Sequence, residues 1–167
     1  MESASVLESI AEIAIALAGF GGIAAGLGYR ARGTWSPDDQ LRLILLALMG
    51  LTVVFGCFLP YVTHHLGSTA PWRMASALFL LVPAFTTLYM IWFIRRGLPA
   101  GYSRIATWLV AIAQNAALVL LLTAALGYAG PREFGFYLSA VLLTLFQASL
   151  FFVRLLVASF RSSEPAA

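Results

Sequence analysis

An all-α protein that crosses a membrane five times is predicted by three observations. Of its 167 residues, 61% are hydrophobic and only 10% are charged, whereas soluble domains carry about a quarter charged residues. Five stretches reach the roughly 20 apolar residues that span the hydrocarbon core of a bilayer. The arginines stand at the ends of these stretches, crowded at every second connection. The predicted architecture is one transmembrane domain over residues 1–160, built from an N-terminal helix followed by two helical hairpins, with a disordered cytoplasmic tail at 161–167.

The first stretch, Val6 to Tyr29, joins membrane-length hydrophobicity to two carboxylates and a run of glycines. At about 100° per residue, Glu8, Glu12, Ile15, Gly19, Gly22 and Gly26 share one face. Val6, Ile10, Ile13, Leu17, Phe20, Ala24 and Leu27 fall opposite. The first residues of the chain, MESASVLESIAE, are acidic and hold no Arg or Lys, so a retained helix is expected in place of a cleaved leader.

A second helix runs over Leu41 to Val62, and its start is marked earlier, by Ser36 as N-cap, Pro37 at the first helical position and Asp38 and Asp39 at the positive end of the dipole. Pro71 opens the third, Met74 to Ile94, in which Pro83 predicts a kink with its freed carbonyl met by Thr86, Thr87 or a neighbouring helix. The fourth covers Ile105 to Tyr128. Pro131 and Glu133 open the fifth, Phe134 to Phe160. Tyr61, Trp72, Tyr128 and Tyr137 at one boundary and Tyr29, Trp35, Trp92 and Trp108 at the other are expected to form two aromatic belts.

Arginine counts give the orientation. The first and third connections and the C-terminal end hold Arg30, Arg32, Arg42, Arg95, Arg96, Arg104, Arg154 and Arg161, against Arg73 and Arg132 in the second and fourth. The positive-inside rule then puts the N-terminus outside and the C-terminus in the cytoplasm, with Arg154 snorkelling to phosphates. The net charge of +3 comes from these scattered arginines, with no lysine in the chain, so no nucleic-acid face is expected. The Ala, Gly and Leu content without lysine points to a bacterial cytoplasmic membrane.

Glu8 and Glu12 lie one turn apart on one face. A carboxylate within a membrane is costly unless it is paired, hydrated or protonated, which makes such acids functional candidates. Turned inward in a symmetric oligomer, they would form an acidic ring that concentrates inorganic cations; facing headgroups or water, they would only hold the N-terminus outside. Below them Ala14, Ala18, Gly22 and Gly26 form a small-residue ladder suited to close helix packing in lipid. Alternatively GFGG at Gly19 to Gly22 is a hinge whose carbonyls meet an ion, with Phe20 as a gate.

Gln114, Asn115 and Gln147 are mid-membrane polar groups that either hydrogen-bond between helices or line a path. His64 and His65, adjacent and about 100° apart, suit neither one haem nor one metal; a pH-responsive loop is the functional alternative to a solvated pair. Cys57, the single cysteine, has no intramolecular disulfide partner. No phosphate-binding glycine loop, nucleophile elbow or metal-spaced cluster is present, so neither an enzyme nor a cofactor is expected. Three functions follow in order: a homo-oligomeric, cation-favouring pore with the first helix on the axis; a non-conducting scaffold or accessory subunit whose glycine ladder docks another helix; and a small secondary transporter acting as a parallel dimer.

Overall fold

The computed structural model describes residues 2–32, 37–95 and 104–161. It is all-helical, with α1 (Glu2–Arg32), α2 (Pro37–His65), α3 (Pro71–Arg95), α4 (Arg104–Ala125) and α5 (Glu133–Arg161), the last preceded by a short 3-10 turn at Gly130–Arg132. Each of the five helices is long and apolar enough to cross a membrane. Ser36, Trp35, Arg96 and the tail 162–167 lie outside the described residues.

α5 is the central element, packed against α1, α2 and α4 and touching α3. It carries the widest buried stripe, including Tyr137, Ala140, Val141, Thr144, Gln147, Ala148, Phe151 and Leu155. The remaining surfaces are apolar and open, with Phe55, Leu81, Phe85, Ile105 and Trp108 all largely exposed, as suits helices surrounded by lipid.

The helix ends are set by local chemistry. Gly67 and Gly127 both adopt φ of +78°, a left-handed conformation that glycine takes without a Cβ clash. Ser68 N–H bonds to Thr63 O and Gly67 N–H to His64 O; Tyr128 N–H bonds to Thr123 O and Gly127 N–H to Ala124 O. Both α2 and α4 therefore end in Schellman motifs. For α4 this stops the helix at Ala125, short of the Tyr128 expected from hydropathy. Likewise Pro131 opens the 3-10 turn, and α5 begins two residues later.

The end of the bundle that holds the start of α1 is tied by polar contacts. The Thr63 hydroxyl lies 3.0 Å from both the Pro60 and Pro71 carbonyls, joining the end of α2 to the start of α3. Arg73 of α3 pairs with Glu133 of α5 at 2.5 Å, and its guanidinium lies over Gly127 so closely that a Cβ there would stand 3.0 Å from it.

Tyr137 corrects an expectation. It does not join an aromatic belt: it is fully buried, its ring 5.8 Å from Phe79 and 6.0 Å from Trp72. Its hydroxyl donates to Gly56 O at 2.5 Å. The cause is Pro60, inside α2, which has no N–H to give the carbonyl four residues before it. The freed carbonyl is that of Gly56, and the phenol of α5 supplies the missing donor. Gly56 also allows the approach of Phe79, whose ring would stand 2.9 Å from a Cβ at that position.

Candidate functional site: the two sides of the first helix

α1 packs on α2 and α5 through a narrow seam. Leu7, Ala11, Ala14, Gly21 and Ala25 are buried and Ala18 half-buried, an alternation of four- and three-residue steps. That average of 3.5 residues keeps one helix facing a near-parallel or antiparallel neighbour along its whole length, and small side chains let the axes come close. α2 answers with Leu46, Gly50, Val53 and Cys57 at the same spacing, all buried. A Cβ on Gly50 would lie 3.4 Å from Ala14 O and 3.4 Å from the Ala18 Cβ, and one on Gly21 would overlap the Leu46 side chain.

The ladder read at strict four-residue spacing divides on this seam. Ala14 and Ala18 pack against α2, whereas Gly22 and Gly26 are exposed with nothing within 4 Å of an added Cβ. Four residues advance 400°, so the ladder winds about 40° per step and turns away from its neighbour within three steps. Gly21, the inner member of the GFGG run, is the glycine that the subunit itself uses. The signal was present as the heptad 11, 14, 18, 21, 25, hidden by the more familiar GxxxG beside it.

The acid-bearing face is open. Glu8, Glu12, Ile15, Gly19, Gly22 and Gly26 are all exposed, as is Phe20 on the opposite arc of the helix. Beside the acid-bearing face, Ser9 turns its hydroxyl back to Ser5 O at 3.0 Å. Glu12 stands eight residues after Ala4 in the Ala4–Leu27 span, about 12 Å along the axis at 1.5 Å per residue and about 5 Å short of the span's midpoint. Glu8 lies one turn nearer the end. Below Glu12, Gly19 and Gly22 present bare backbone, as nothing approaches their Cβ positions.

The mid-membrane amides separate into three situations. Gln114 of α4 donates to the Pro83 carbonyl of α3 at 3.1 Å and to the Thr86 hydroxyl, while Thr86 donates to Val82 O at 2.9 Å. This trio fastens α4 across the proline of α3. Asn115 is exposed and its amide turns to Ala111 O in its own helix at 2.8 Å. Gln147 is fully buried, and neither of its amide atoms has a hydrogen-bond partner among the described residues. Gln114 and Gln147 do not share a surface with Glu8 and Glu12, since both amides are buried and the acids are exposed.

His64 and His65 are both exposed in the last turn of α2, their ring centroids 6.0 Å apart. Cys57 is buried and free. Among the described residues no three His, Cys, Asp or Glu side chains gather where one metal ion would touch them all. A cavity of about 440 Å³ opens between the first turns of α1, the end of α2 and the start of α3, with Pro60, Tyr61, His64 and Trp72 among its walls. Comparison of the chain with protein-family models, curated proteins and solved structures finds no match in any of the three.

Proposed function

We propose that the protein is a cation-favouring pore of the bacterial cytoplasmic membrane, assembled from several copies that turn the acid-and-glycine face of α1 toward a common axis. The observation that carries this reading is the exposure of Glu12 well inside an apolar span. A carboxylate facing lipid at such depth costs about 3 kcal/mol on insertion scales, and assembly around a hydrated axis removes that cost. The bare glycine surface below Glu12 supports the same arrangement, since small residues are where membrane helices approach one another. Closed rotational symmetry would gather the acids of all copies into a ring, which concentrates cations at the entrance.

In this reading the chain is a single five-helix domain with its N-terminus outside, the placement the arginine bias favours. α2 with α3 and α4 with α5 form two hairpins behind the axial helix, and their turns lie at the outer surface. Glu8 and Glu12 form the mouth; Gly19, Gly22 and Gly26 line the path beneath it. Gln114 fastens α4 to α3 behind it.

Purified protein in liposomes is expected to pass monovalent cations in preference to chloride, with Glu12→Gln reducing that preference several-fold. Single cysteines placed at Gly22 should cross-link between copies. Absence of flux above empty vesicles across pH and voltage, with the protein monomeric in detergent, would remove the pore. The open glycine face suits a foreign helix as well as a second copy, so the scaffold reading would take its place if Gly22 cross-links only to a different protein.

A further inference from the structure

α4 turns a stripe of large side chains outward. Trp108, Ile112, Asn115, Val119 and Leu122 are all exposed and follow one another in steps of four, three, four and three residues, the spacing that keeps one helix against another along its length. α4 packs on α3 and α5, and α1 on α2 and α5. The stripe therefore belongs to a different helix from the face that the pore reading uses.

Asn115 sets this stripe apart. On α2 the outward row Ile44, Leu48, Leu51 and Phe55 has the same kind of spacing and is apolar throughout, as lipid requires. Asn115 stands one residue from the middle of the Thr107–Ala125 span, about 1.5 Å along the axis from its centre. An asparagine amide offers two N–H donors and an oxygen with two lone pairs. The bond to Ala111 O at 2.8 Å takes one of these positions, and hydrocarbon can fill none of the others.

We propose that the outward face of α4 pairs with the same face of a second copy, the two Asn115 amides bonding to each other across a two-fold axis normal to the membrane. A second copy is the occupant that the chemistry selects. The amide is donor and acceptor at once and so complements itself, and the arginine bias favours one orientation for every copy. Two parallel α4 helices then bring both Asn115 side chains to the same depth. Ile112 and Val119 fall where β-branched residues favour two-stranded parallel pairs, with Leu122 at the alternate position, and a lone polar residue in such a seam fixes the register. One amide pair strengthens association in lipid only several-fold, so the pair holds where copies are confined to a bilayer and separates on dilution in detergent.

The test is disulfide cross-linking in the membranes of cells that co-express two differently tagged copies of the full chain, each carrying Cys57→Ala and Val119→Cys. The oxidised product should carry both tags. Ile112→Cys, on the other side of Asn115, should cross-link likewise, and Leu81→Cys, comparably exposed on α3, should not. Because Asn115 is exposed, its replacement leaves the interior of the subunit intact: Asn115→Gln should keep the Val119 link, and Asn115→Leu should reduce it about fivefold. No link above that of Leu81→Cys, a link only to a different protein, or a link unchanged in Asn115→Leu would overturn the proposal. Gly22→Leu, which covers the open face of α1, should leave the Val119 link in place, so failure of the pore contact and failure of this one are read separately.

Discussion

Gly21 and Gly22 are neighbours in the chain and opposites in the bundle. Gly21 is buried against Leu46 and Phe152, so that an added Cβ would run into the Leu46 side chain; Gly22 is exposed with no atom within 4 Å of the same construction. One step of about 100° separates a glycine that the subunit needs from one that the subunit leaves open. Glycine in a helix costs about 1 kcal/mol relative to alanine. At Gly21 close packing offsets that cost within the chain, whereas at Gly22 and Gly26 no contact among the described residues does. The difference teaches that α1 carries glycines on two faces, only one of which is packed against its own chain.

The sharpest way to break this comparison is to fill the inner glycine. Gly21→Leu must displace Leu46, itself fully buried, and overpacking of this kind costs about 3 kcal/mol. Loss of folded protein, read by unfolding in mixed micelles or by thermal loss of the monodisperse peak, is the expected outcome. If Gly21→Leu were as stable as the parent, the α1–α2 seam would not be the close contact described.

A second, smaller effect tests whether the interior depends on directional contacts as well as closeness. Tyr137→Phe keeps the ring among Phe79 and Trp72 but removes the donor to Gly56 O. That carbonyl already lacks its helical donor because of Pro60, so it would be left unpaired in an apolar interior. A loss of about 1–2 kcal/mol is expected. Pro60→Ala should return the backbone donor, so that Tyr137→Phe costs less in that background; an unchanged cost there would separate the phenol from the proline.

These contacts also mark how far the sequence can be read. Five spans and proline-marked starts for α2 and α3 are legible because hydropathy and proline chemistry act locally. The role of Tyr137 is not, because an aromatic near a span end suits a belt and a core equally, and its partner is 81 positions away. Nor does periodicity alone tell which arc of α1 meets the subunit. The four-residue ladder and the 3.5-residue seam share Ala14 and Ala18, and only the placement of α2 and α5 decides between them. The exposed site residues Glu8, Glu12, Gly19, Gly22 and Gly26 are grouped by the helical wheel.

Gln147 reverses the expected sign for an interior position. Its amide is fully enclosed without a hydrogen-bond partner among the described residues, and an unpaired buried amide is unfavourable. Gln147→Met conserves volume and removes the polar atoms, so the subunit should gain about 1 kcal/mol in the same unfolding assay. A clear loss would mean that the amide is paired in the membrane, and the interior would then be more polar than the packing around α5 implies.

The smallest effect on the subunit belongs to the outer glycines, and it is the one that completes the contrast. Gly22→Leu, alone or with Gly26→Leu, adds side chains into open space, so subunit stability should change by less than about 0.5 kcal/mol. Replacing an awkward glycine with a good helix former even favours the helix slightly. Association is a different matter, because the bare backbone that lets a second helix approach would be covered. The expected result is a folded protein of unchanged unfolding midpoint whose detergent-solubilised mass falls to that of one chain, and whose cross-linking through a cysteine at Gly19 disappears. If instead Gly22→Leu unfolded the subunit as Gly21→Leu does, both sides of α1 would belong to the interior, and Glu12, on the same side, would have no outward face from which to line anything.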